Sequence, residues 1–168
     1  MTISMYQASI PVFLRALDNL SAVLRLGDAH ATAKGIDPLV LTGARLYPDM
    51  FPLSRQVQIA CDMVKGGAAR LAGIEAPPRP DTEKTFVELI ERIEWTQAFL
   101  RRFDAGQIDG SEDRPVTMRT PFGELHFSGQ QYLLNFVLPN LYFHATTTYN
   151  LLRHSGVELG KRDFLGRA

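Results

Sequence analysis

Apolar side chains along this chain recur mostly at intervals of three and four, the spacing that gathers them on one face of an α-helix. In the first segment Ile3, Tyr6, Ile10, Phe13, Leu17, Leu20 and Leu24 keep that rhythm, with Ser4 as a candidate cap and Gly35 as a candidate stop. Pro11 has no backbone donor and crowds the carbonyl of Gln7, so it either kinks this helix or marks its true first turn after Ser9. Asp37 and Pro38 open a short helical turn, and Gly43, Pro48 and Pro52 punctuate the connection that follows. A second helix begins near Asp49 or Pro52, carries Leu53, Val57, Ala60, Val64, Ala68 and Leu71, and ends at Gly73 with Ile74 behind it.

After an extended APPRP linker, a third helix starts at Asp81 or Thr82. Its stripe is Phe86, Leu89, Ile93, Thr96, Leu100 and Phe103, with Glu88 and Arg92 as an exposed pair four apart and Gly106 and Gly110 closing it. The period then changes. In PVTMRTPFGELHF, Val116, Met118, Leu125 and Phe127 alternate with polar residues around a Pro-Phe-Gly turn, which predicts a β-hairpin leaning on the helices. A fourth helix runs from about Ser128 to His154, with Ser128 and Gln131 as a capping box. Apolar residues on nearly every face between Tyr132 and Ala145 predict the most buried helix, and Pro139 predicts a kink or bulge near Asn135. Gly156 ends it, and the tail VELGKRDFLGRA folds back on the surface. The expectation is an all-α fold, mainly a four-helix bundle, in one domain over residues 1–168.

Composition narrows the function classes. Eighteen basic and 18 acidic side chains leave a net charge of zero, without the basic surplus that nucleic-acid binding draws on. The opening residues do not read as a signal peptide, and the longest apolar-rich stretch is too short to span a bilayer. A cytoplasmic protein with no nucleic acid and no membrane partner is expected. The single cysteine, Cys61, sits in an apolar periodic segment and reads as a buried, inert thiol. No phosphate loop, dinucleotide fingerprint, HExxH pair or nucleophile elbow occurs.

The informative feature is polar residues on apolar helices. Asn140 and His144 are four apart on the fourth helix, and Gln58 and Asp62 are four apart on the second. If those helices face each other, the four side chains meet in a polar core cluster. Such a cluster is either a hydrogen-bonded network that fixes helix register or a weak divalent metal site on His144 and Asp62. Arg45, Asp49, Arg55 and Gln56 surround the proline-rich connection and either tie it down or hold a small anion. His154, beside Arg153, faces the negative end of the helix dipole, while His30 and His126 read as solvated. Lys161, Arg162 and Asp163 read as a solvated or subunit-contacting charge group.

The stretches SMYQASIPVFLRALDNL, ARLYPDMFPLSRQVQIACDMVKGGAARLAG and LPNLYFHATTTYNLLRHSGVELGKRDFLG resemble a bacterial family of unknown function, itself similar to the DinB/YfiT-like superfamily. The resemblance implies an up-down-down-up bundle, often dimeric. Metal-binding members of that superfamily carry one histidine in the second helix and two, four apart, in a late helix. Here only His144 stands at such a position; Gln58 or Asp62 occupies the region of the first, and Asn140 and Thr148 flank His144. The expected protein is a homodimeric small-molecule-binding or structural bundle without a cofactor, its metal site degenerate. The alternative is a metal-dependent enzyme, a thiol transferase or hydrolase, using His144 and Asp62.

Overall fold

The structure, a computed structural model, describes residues 2–120 and 123–166. Helix α1 spans Met5–Lys34. Ser4 and Gln7 close a capping box at its start, and Gly35 ends it at a φ of 64°, a conformation that strains any side chain. Pro11 lies inside α1, so the helix does not begin after Ser9; Ile3, before the cap, is exposed and is not part of the stripe. The short helix α2, Pro38–Thr42, is capped by Asp37. Helix α3 then spans Leu53–Ala72 and stops at Gly73, and α4 spans Phe86–Leu100.

The start expected at Asp81 or Thr82 is corrected to Phe86. Thr85 accepts the Glu88 N–H while Glu88 accepts the Thr85 N–H, a reciprocal cap that fixes the first turn there. The carboxylates of Asp81 and Glu83 are drawn to cations instead. Beyond α4 come a one-turn helix α5, Ala105–Ile108, and strands β1, Pro115–Thr120, and β2, Gly123–Ser128, paired antiparallel. Pro121 and Phe122 of the expected turn lie outside the described residues. Ser128 and Gln131 form the predicted capping box over α6, Gly129–Tyr132. A π-helical turn, Leu133–Val137, leads into α7, Leu138–His154. The turn sits immediately before Pro139, whose missing N–H leaves the ordinary ladder incomplete, and it is centred on the Asn135 position expected to bulge. Helix α8, Lys161–Leu165, folds back on α1.

Side-chain contacts fix the directions of the four long helices. Asp18 meets Gln97 and Arg25 meets Glu94, so α1 and α4 are antiparallel. Arg70 meets Tyr132 while Gln56 meets His144, so α3 runs against the α6–α7 segment. Arg55 reaches Asp81 and Asp62 reaches Arg92, which makes α3 and α4 parallel. The order is up-down-down-up. A parallel α3–α4 pair obliges residues 73–85 to return along the bundle. Thirteen extended residues reach about 43 Å at roughly 3.3 Å each, against about 30 Å for a 20-residue helix. Three prolines, Pro77, Pro78 and Pro80, keep that return extended.

One buried cluster joins all four helices to Val116 of the hairpin and Val157 and Leu159 of the tail. The segment expected to be most buried exposes Leu134, Tyr142 and Phe143. Each helix of such a bundle keeps one face outward, apolar or not, and α3 is the more enclosed, with Ala, Gly and Cys on its flanks.

Candidate functional site

Gln58, Asp62, Asn140 and His144 do not converge: no hydrogen bond or ion pair joins any two of them among the described residues. Gln58 and Asp62 face α4, while His144 faces α3 across a different side. Residues two apart on a helix point about 200° apart, so the partner of His144 is Gln56 and not Gln58. Asn140 turns back on its own helix and donates to the Phe136 carbonyl at 2.7 Å, satisfying an acceptor in the π turn.

The α3–α4 side is an ionic network around Arg92, which is 1% exposed. The pair expected between Glu88 and Arg92 on the surface is therefore corrected: Glu88 caps α4 and Arg92 points inward. Its guanidinium donates to Glu83 at 3.0 Å, to Asp81 at 2.9 Å, to Asp62 at 3.0 Å and to the Pro80 carbonyl at 3.1 Å. Lys65 also holds Asp62, Arg55 also holds Asp81, and Arg79 and Gln58 also hold Glu83. Lys65 and Arg79 lie over the Trp95 ring. Burial pushes the Glu83 carboxyl up, but its own backbone N–H, Arg92 and Arg79 outweigh that and hold it below the usual carboxylate range. Cys61 is buried beside this network, and burial pushes its thiol up to about 12, which keeps it protonated and unreactive at neutral pH. Every acid here is neutralised by at least one cation, so Asp62 has no free charge to offer a metal. Among the described residues no group of three or more His, Cys, Asp or Glu is placed to hold a metal ion.

His144 is 8% exposed, and its Nδ1 lies 2.6 Å from the Gln56 Oε1. The Gln56 amide nitrogen donates to the Phe51 carbonyl at 3.0 Å, which turns the amide oxygen toward the ring. Nδ1 therefore carries the proton, and Nε2 keeps a lone pair with no partner among the described residues. Burial first, and the Arg55 guanidinium second, push this imidazole down to about 4, so it is neutral at pH 7. Thr148, one turn on, spends its hydroxyl on the His144 carbonyl at 2.9 Å. Of the set around the connection, Arg45 holds the Met50 carbonyl and Arg55 holds Asp81, so both tie that segment down. His126 bonds Thr117 on the hairpin and stays exposed, and His154 is exposed at the end of α7.

A third place was not foreseen. Between the parallel helices α1 and α7 lies a half-enclosed hollow of about 240 Å³, closed at one end by α8. Val12, Ala16, Leu20 and Val23 form one wall, and Tyr142 and Ala145 the facing one. Phe164 and Leu165 supply the cap, with Phe164 edge-on to Tyr149 at 6.0 Å. Ala16 and Ala145 each give one carbon where a leucine would give four, which leaves the space open. Arg15 and Asn19 complete the lining. The sequence signal for it is slight: two alanines on otherwise bulky stripes, and an apolar tail that needs a place to pack.

A family profile described as "Domain of unknown function (DUF1993)" matches residues 5–165. No curated protein matches the sequence. Among solved structures, a DinB family member from Shewanella denitrificans is similar over 97% of this chain and 92% of its own, at 38% identity and a TM-score of 0.89.

Proposed function

Because this chain belongs to the DUF1993 family, with a fold shared with a DinB family member, and because such a bundle by itself specifies no reaction, we propose from its geometry that it binds a small molecule in the hollow between α1 and α7. The observation that carries this reading is the hollow itself: about 240 Å³ of apolar space bordered by polar side chains, the usual make-up of a ligand site. His144 is in this view a register-fixing member of the α3–α7 contact. The protein works as a homodimer in the cytoplasm. Exposed Leu39, Val40, Tyr47, Phe51 and Phe143 support the dimer, since large apolar side chains on a surface favour association.

The test is a thermal-shift screen of small amphipathic molecules on the wild type and on Ala16→Leu, which fills the hollow. A ligand at a hundred times its Kd adds about 2.7 kcal/mol, or roughly 5–10 °C for a domain of this size. That shift is expected in the wild type and absent in Ala16→Leu. Equal shifts in both proteins would place binding elsewhere. Light scattering that finds a monomer at micromolar concentration would remove the dimer.

A second reading has its own observation. The unpartnered Nε2 of His144 is the atom that would ligate a divalent ion, with Gln56 orienting the ring. In that reading His144 and Asp62 serve a metal-dependent transferase or hydrolase, and Asp62 must first leave Arg92 and Lys65 and turn from the α4 side of α3 to the α7 side. A stoichiometric, chelator-sensitive metal lost on His144→Ala would favour it.

A further inference from the structure

We propose that the occupant of the hollow is a small carboxylate carrying a short apolar chain or ring, with Arg15 as the partner of its anionic end. This rests on reading the hollow as a ligand site. The walls offer an apolar chain nothing to hydrogen-bond, and no acidic side chain lines them. The polar groups at the hollow are Arg15, Asn19 and the Tyr142 hydroxyl, each able to donate. Among the described residues none of the three is hydrogen-bonded to another side chain and Arg15 has no carboxylate partner. Among the described residues Arg15 makes one hydrogen bond, from a terminal nitrogen to the Leu165 carbonyl at 3.3 Å, which places the side chain beside α8 and leaves the rest of its donor fork open to a ligand. The Asn19 amide lies against Gly166 at the same end, where a β-carbon would stand 2.1 Å from its oxygen. Two donors, Arg15 and Asn19, beside α8 at the edge of an apolar slot match a molecule with one anionic end and an apolar body. An ammonium would meet an unpaired guanidinium there, and an alcohol would leave that guanidinium without a counter-charge.

The volume sets the length. About 240 Å³ holds roughly eight groups of water or methylene size, at about 30 Å³ each. An eight-carbon acid fills it. Each methylene that enters is expected to tighten binding about fourfold, from about 0.8 kcal/mol per buried CH₂, until the hollow is full.

Calorimetric titration of the full chain with octanoate, 1-octanol and octylamine tests this. Octanoate is expected to bind about tenfold more tightly than octanol, and octylamine most weakly. Arg15→Gln, a substitution at an exposed position, is expected to bring octanoate to the level of octanol and to leave octanol unchanged. From hexanoate to octanoate the affinity is expected to rise more than tenfold and then to level off for longer acids. Octanol binding as tightly as octanoate, or Arg15→Gln leaving octanoate unaffected, would overturn the carboxylate assignment while the hollow stayed a ligand site. Failure of the wild type to bind any of the three probes at millimolar concentration would overturn both readings. Octanoate that binds Ala16→Leu as well as the wild type would do the same, because it would then sit elsewhere.

Discussion

Replacing Arg92 by methionine should be among the most destabilising single changes in this bundle. Methionine keeps much of the side-chain length and removes the charge. Glu83, whose side chain is 5% exposed, then keeps Arg79, Gln58 and its own backbone N–H, while Asp62 and Asp81, about a third exposed, keep Lys65 and Arg55 and recover some water. Breaking a buried ion pair from one side costs about 3–5 kcal/mol. The remaining partners, and relief of the buried Arg92 Nε, which has none, place the expected loss at the lower end, about 3 kcal/mol. Urea unfolding should show it as a lower midpoint with an unchanged slope. In a double-mutant cycle with Glu83→Gln the two changes should be less than additive by about 2 kcal/mol. The loss should depend on pH with a definite sign. Because the Glu83 carboxyl is held below its ordinary value, its stabilisation is present above the usual carboxylate range and fades as pH falls through the folded value. The wild type and Arg92→Met should therefore converge in acid. A loss under about 1 kcal/mol at pH 7, or a gap that widens in acid, would refute the network as a clamp on residues 73–85.

His144 has the same sign in a higher pH window. Its depressed pKa means that the unfolded chain takes a proton between pH 6.5 and about 4 while the folded one does not, so the wild type should lose stability over that window. The ceiling is about 3 kcal/mol at 1.36 per unit, and with solvent reaching Nε2 about 1–2 is expected, measured against His144→Gln. Gly129→Ala should destabilise by more than about 2 kcal/mol in thermal melts, because its β-carbon would stand 1.9 Å from the Ser111 carbonyl oxygen, a backbone atom that cannot swing aside. Purified protein should carry well under one metal per chain by elemental analysis, and chelator should leave the melting temperature nearly unchanged.

The helices were legible wherever the rule is local. Ser4, Gly35, Gly73 and the Ser128–Gln131 box lie where spacing and cap chemistry place them, and Pro139 announces the π turn. Thr85 and Glu88 form an equally local signal that would have set the start of α4. What stayed hidden depends on which helix faces which. Glu88 and Arg92 satisfy the spacing of an exposed pair, but the acids that draw Arg92 inward come from the connection before α4 and from α3. Gln56 falls on the Leu53–Val57–Ala60 stripe and so was bound to face α7, whereas Gln58 and Asp62 lie on the flank toward α4. The hollow is an absence of atoms between two helices and a tail, which periodicity does not register.

The central claim is that the ligand sits between α1 and α7 and not at His144. Methyl and imidazole NMR of the 18.8 kDa chain during an octanoate titration tests it directly. The account predicts saturable shifts at Val12, Leu20, Val23 and Ala145, with the His144 ring unmoved. Shifts centred on the His144 ring, with the α1 methyls silent, would contradict it.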